Sequence, residues 1–188
     1  MAILSNLRIR SLLILLLVFS VVALLALGAF SSFTIKTEAD RATAFIDGEF
    51  ESVRVVGEVR AAIGNARRYE KDVFLNMGDE TETERYTKLW SAEIVAINQA
   101  IAQAQTLAQP AEAAFLADMQ KGVDAYAKGF KDILGQMTRG ELNDPWAANK
   151  AMTPLKADIR KADKSLADLS QSISSRASER RQSLAVTG

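Results

Sequence analysis

A strip of glycines and cations carries the chemistry in this sequence. Gly57, Arg60, Gly64, Arg67 and Lys71 recur at steps of three and four, so a helix would place them on one face. Two arginines one heptad apart suit an anion, because a guanidinium offers a rigid fork of N–H donors that fits a carboxylate bidentately. Glycine in a helix costs about 1 kcal/mol relative to alanine. One physical return for two of them is close approach of another backbone along the strip. The plainer reading stays open beside it: an exposed face on which Arg60, Arg67 and Arg68 pair with Glu58, Glu70 or Asp72 at helical spacing.

Other chemistry is poorly supplied. The chain of 188 residues has no cysteine and no histidine. That removes thiol nucleophiles, imidazole bases and the usual zinc or haem ligands, so we expect no metal and no cofactor. Carboxylates are plentiful, but the helical pattern puts them on solvated faces. Neither a nucleophile–base pair nor a phosphate-cradling glycine loop is present, and we expect no enzyme. Lys plus Arg equals Asp plus Glu at 23 each, which points away from nucleic acid.

The elements that must position the strip are helical. Residues 12–30 carry no charge and are interrupted only by Ser20 and Gly28. A helix of that length, rising about 1.5 Å per residue, crosses a hydrocarbon core of about 30 Å. Ala26-Leu27-Gly28 is a weak small-x-small cleavage site, but the run is longer than a signal h-region and no polar break follows it. We therefore read an uncleaved anchor over residues 11–33, with 1–10 in the cytoplasm because Arg8 and Arg10 flank its start. Residues 34–186 then form a periplasmic domain on the inner membrane.

Four helical segments follow, at about 34–76, 82–108, 111–138 and 145–186. The first has a core row of Phe45, Val56, Val59, Ile63, Ala66 and Val73, and a heptad row opening with Ile46, Phe50 and Val53. It ends near Gly78, a plausible C-terminal cap. Thr81 with Glu84 reads as a capping box for the second, whose seam is Tyr86, Trp90, Ile94, Ile97, Ile101, Ala104 and Leu107. Pro110 opens the third, with Leu116, Met119, Val123, Tyr126, Phe130, Ile133 and Met137 in line. Asp144 and Pro145 start the fourth. Pro154 should kink or restart it with Thr153 as cap, ahead of Leu155, Ile159, Ala162, Leu166, Leu169 and Ile173, the seam fading towards Arg176, Arg180 and Leu184. Short connections favour an all-α, antiparallel up-down-up-down four-helix bundle. That topology would bring Arg60, Arg67, Arg68, Tyr126, Asn149, Met152 and Thr153 to its membrane-distal end, where Thr153 adds a hydroxyl at a helix start. The aromatics of the same half, Tyr69, Tyr86, Trp90 and Trp146, read as packing.

A basic-flanked span near the N-terminus is followed by a four-helix periplasmic domain, with a distal stretch Arg-Arg-Tyr-Glu-Lys-Asp-Val-Phe-Leu at residues 67–75 of its first helix. In this order the chain resembles the N-terminal sensor half of a bacterial methyl-accepting chemotaxis protein with a four-helix-bundle ligand domain. The resemblance implies a homodimer packed along the first helix. It also implies a pocket near the distal dimer interface that grips a small carboxylate or amino acid. The implied ligand residues are Arg60 and Arg67, with Arg68 or Lys71, facing Asn149 and Thr153. Such receptors continue into a second span, a HAMP linker and a cytoplasmic coiled coil that engages a kinase. The sequence stops at Gly188, where the second span is expected, so it reads as a truncated receptor or as a lone sensor-like membrane protein. Histidine kinases use similar bundles, and a rod that only dimerises or docks a binding protein is the alternative function.

Overall fold

The computed structural model describes the backbone of residues 9–187 and the side chains of residues 11–183. Arg8, and the side chains of Arg10 and Leu184, lie outside the described residues. All regular structure in the described residues is helical: α1 (Ile9–Leu75), α2 (Glu80–Leu107), a single 3-10 turn (Pro110–Glu112), α3 (Ala113–Thr138), α4 (Pro145–Ala151) and α5 (Leu155–Thr187).

The chain divides into two compact units, Met1–Asp47 and Gly48–Gly188. In the first, α1 carries a window of mean hydropathy 3.0 with none of it buried, long and apolar enough to cross a membrane. Its polar side chains turn back on the helix: Ser20, Thr34 and Thr37 each donate to the carbonyl four residues earlier. For Ser20, inside the apolar run, that bonding satisfies the hydroxyl without water, as a hydrocarbon setting would require.

In the second unit the apolar seams meet in one core. Val56, Val59, Ile63, Ala66 and Val73 of α1 pack with Trp90, Ile97 and Ile101 of α2, with Leu116, Met119, Tyr126 and Phe130 of α3, and with Ile159, Leu166 and Ile173 of α5. Partners run in opposite chain order in each pair. On α1 and α2, Asn65 bonds Glu93 and Glu51 bonds Gln103. On α2 and α3, Trp90 meets Tyr126 and Asn98 meets Gln120. On α1 and α5, Arg67 meets Asp163 and Glu49 meets Arg176. The α3–α5 contact is close because Gly122 has no side chain: a Cβ there would lie 2.7 Å from the Asp158 carbonyl oxygen.

Local signals explain most of the breaks. Gly78 adopts φ +100, a left-handed conformation that favours glycine, and so ends the turn after α1. Asp144 accepts from the N–H groups of Trp146 and Ala147, with Pro145 in the first turn of α4. Two caps differ from expectation. The N-cap of α2 is Asp79, whose carboxylate accepts from Glu82 N, so Thr81 already lies inside the helix and Glu84 pairs with Lys88. The proline at 154 does split the fourth segment, but the Thr153 hydroxyl turns back 3.4 Å to the Asn149 carbonyl oxygen instead of forward onto α5. The third segment also opens differently, with Pro110 in a 3-10 turn closed by Glu112, whose Oε2 accepts from Gln109 N at 2.8 Å.

Candidate functional site

The carboxylates are not all on solvated faces, and this correction defines the site. Glu70 and Glu112 are buried, at 3% and 1% exposure. Both occupy core positions in the helical rows: Glu70 falls between Ala66 and Val73 on α1, and Glu112 precedes Leu116 by four.

Glu70 is the end of a hydrogen-bonded chain through three helices. The Trp90 indole N–H donates to the Tyr126 hydroxyl at 3.3 Å, and that hydroxyl donates to Glu70 Oε2 at 2.8 Å. Burial pushes the Glu70 carboxyl above its ordinary range, opposed by the Tyr126 hydrogen bond and by the charges of Lys156, Arg67 and Lys71. Tyr126 is raised strongly as well, first by burial and then by the neighbouring Glu70 charge, so its hydroxyl stays protonated and available as donor.

Around this carboxylate the structure assembles part of the expected set. Arg67 Nη1 lies 3.3 Å from Asp163 Oδ2 on α5, both side chains 38% exposed. Asp163 is raised by partial burial and drawn back down by Arg67 and Arg60, so both strip arginines act on the same carboxylate. Lys156 Nζ lies 2.7 Å from Asn149 Oδ1, and its charge reaches Glu70. Four cations, Arg60, Arg67, Lys71 and Lys156, thus act on Glu70 or Asp163. Asn149 joins through Lys156, and Thr153 through the Asn149 backbone. Such a set of cations can seat an anion, with Asp163 as the internal carboxylate already on Arg67.

Arg68 stands apart from this group. Its guanidinium lies 4.7 Å from the centre of the Tyr69 ring and donates to the Tyr69 hydroxyl at 3.0 Å, and Tyr69 leans on Tyr86 of α2. None of the three arginines forms an ion pair with Glu58, Glu70 or Asp72 among the described residues. Glu58 is taken by Arg54, and Glu70 faces the core. Trp90 packs at 4.6 Å between ring centres with Phe130, as expected of core, but Trp146 is 71% exposed with Lys150 over its ring.

Two features escaped the sequence reading. Arg176, near the end of the α5 seam, sits between Glu112 at 3.0 Å and Glu49 at 2.6 Å, with Ser172 also donating to Glu112. The Nε–Glu49 approach is out of line for a hydrogen bond, which is carried instead by Nη2 at 3.3 Å. The second is an open cleft of about 680 Å³ beside the turn after α1 and the loop after α3. Met77, Leu134, Met137 and Leu142 line it together with Glu80, Glu84 and Lys88, and none of the expected ligand residues does.

No protein-family model, curated protein or solved structure matches this chain.

Proposed function

We propose that this chain is the membrane-anchored sensory part of a bacterial receptor, which binds a small organic acid or amino acid and acts by binding, not by turnover. The observation that carries the reading is Arg67 on the α1–α5 face, paired with Asp163 and acting on the buried Glu70, with Arg60 also acting on Asp163 and Lys156 also acting on Glu70. An anion there would touch two helices that can shift against one another, and a shift of about 1–2 Å is an ordinary size for helix signalling. In this reading the second half of α1, α2, α3 and the α4–α5 segment form the four arms of an antiparallel up-down-up-down bundle, which the opposite chain order of each packed pair supports. The anchor sits in the inner membrane, the bundle is periplasmic, and α5 passes the signal back towards a kinase-coupled output.

Calorimetry of the full chain in lipid nanodiscs against succinate, malate, citrate and amino acids tests the proposal. Saturable heat with one of them, lost in Arg67→Ala, is the expected result. No heat with any acid from a folded protein would overturn it.

A second reading has its own observation. Phe50 and Val53 are 73% and 58% exposed on α1, and Gly57 and Gly64 have nothing within 4 Å of where a Cβ would stand. That open strip favours association with a second copy along α1, as a homodimer that need not hold a small molecule.

A further inference from the structure

Glu70 is 3% exposed and hydrogen-bonded by the Tyr126 hydroxyl, one helical turn from Arg67, whose guanidinium holds Asp163 at the proposed site. From its own helix, Arg67 and Lys71 act on it; from α5, Lys156; from α3, the Tyr126 hydroxyl; and α2 contributes the neutral Trp90 through Tyr126. Among the described residues Glu70 has no ion-pair partner in contact, because Arg67 is held by Asp163 and Lys156 by Asn149. Its ionised form therefore depends on cations at a distance, against the penalty of burial.

An anion seated on Arg67 and Lys156 would neutralise those cations. Burial would then act on Glu70 with less opposition, and the carboxylate would bind a proton. We propose that the acid and a proton are taken up together, with Glu70 as the group that receives the proton. The inference rests on the anion-site reading above. The step balances simply: the ligand enters as its carboxylate, one proton comes from solvent, and Glu70 changes from carboxylate to carboxylic acid. Tyr126 keeps its acceptor, since a neutral carboxyl still offers its carbonyl oxygen, so the Trp90–Tyr126–Glu70 chain survives the change. The coupling is reciprocal: the acid raises the proton affinity of Glu70, and rising pH weakens acid binding.

Asp163 is the competing proton acceptor, because an anion on Arg67 would also deprive it of its partner. Two variants separate the possibilities. Calorimetry of the full chain in nanodiscs, with succinate, malate and citrate in turn, is run at one pH in two buffers of different ionisation enthalpy. Proton uptake should accompany binding in wild type and in Asp163→Asn, and vanish in Glu70→Gln, whose affinity should also lose its pH dependence. A second readout does not need the Glu70 variant to bind. The chain has two tryptophans, so Trp146→Phe leaves Trp90 as sole reporter of the Tyr126–Glu70 chain. The pH midpoint of its fluorescence should move upward on adding the acid. Acid binding without proton uptake, uptake that survives Glu70→Gln, or an unmoved Trp90 midpoint overturns this proposal and leaves the anion site standing. No binding by any of the three acids overturns this proposal, and no heat with amino acids either overturns the anion site as well.

Discussion

Arg67 on α1 and Asp163 on α5 stand 3.3 Å apart, each 38% exposed, so the central arginine of the candidate site is already occupied by a carboxylate of the same chain. An exposed pair of this kind contributes about 0–1 kcal/mol, and it is therefore a contact that a ligand carboxylate can replace.

The first prediction follows from that exchange. Arg67→Ala should abolish or greatly weaken acid binding while lowering stability by no more than about 1 kcal/mol. Asp163→Asn should act in the opposite direction and tighten binding by up to about fivefold, because the arginine no longer has to be released. Thr153→Ala should matter least, removing one neutral hydrogen bond of about 0.5–1.5 kcal/mol. Ligand titrations beside thermal melts decide the matter. If Arg60→Ala and Arg67→Ala both bind like wild type, the cation strip is only a solvated face.

The buried Glu70 makes a prediction about pH and stability. Its carboxyl is raised above the ordinary 4.5 in the folded chain. A group raised on folding contributes stability in full below its unfolded value and loses it as pH rises through the folded value. Glu70→Gln should therefore stabilise the protein above that range and leave it nearly unchanged well below pH 4.5. Asp163 contributes with the same sign, whereas Glu51, Glu84 and Glu141, all lowered first by a hydrogen bond from a basic neighbour, contribute with the opposite sign. The informative quantity is hence the difference between wild type and Glu70→Gln across a pH series of melts. A difference that does not grow with pH would show that Glu70 is not held in the raised state.

How far the sequence could be read turns on these same residues. The apolar seams are written plainly: Leu116, Met119, Val123, Tyr126, Phe130 and Ile133 recur at helical spacing, and all are buried. The row Ile63, Ala66, Val73 also held a signal, a missing core position filled by Glu70. A polar/apolar reading assigns a carboxylate to water, and only the partners on α2 and α3 reveal that it is satisfied inside. Arg176, three residues past Ile173, reads for the same reason only as the place where the α5 seam fades, and its pairs with Glu112 and Glu49 do not show in the pattern. Asp79 and Thr81 are both good cap formers two residues apart. Which one caps α2 depends on where Gly78 turns the chain, and helix spacing alone does not fix that. Bundle topology brings Arg68 to the same end as Arg67, but neighbours on a helix point about 100° apart, and the Arg68 guanidinium goes to Tyr69 instead.

The ion triad supplies the next prediction. Arg176 holds Glu112, which is 1% exposed, and also Glu49 on α1. Arg176→Met keeps the bulk of the side chain but leaves two carboxylates without their cation. Removing one partner of a buried pair costs about 3–5 kcal/mol. Arg176→Lys, which keeps a cation at the site, should recover part of that loss. Urea denaturation of the two variants beside wild type measures both effects. An Arg176→Lys variant no more stable than Arg176→Met would mean that packing, not charge, is what Arg176 provides.

The glycines separate contacts within the chain from contacts between chains. At Gly122 an added Cβ would press on the Asp158 carbonyl oxygen at 2.7 Å, and backbone does not yield easily. Gly122→Ala should therefore push α3 and α5 apart and cost about 1–3 kcal/mol, the usual range for overpacking. At Gly57 and Gly64 nothing lies within 4 Å of the same atom. Within one chain, replacing them should be harmless or mildly stabilising, because a better helix former gains up to about 1 kcal/mol at each position. If the open strip is where two copies meet, Gly57→Leu with Gly64→Leu should give a monomer that melts no lower and a dimer that dissociates more readily. Sedimentation of the full chain in detergent, beside melts by circular dichroism, reports the two effects separately. A dimer unchanged by both leucines would remove this strip of α1 from the interface.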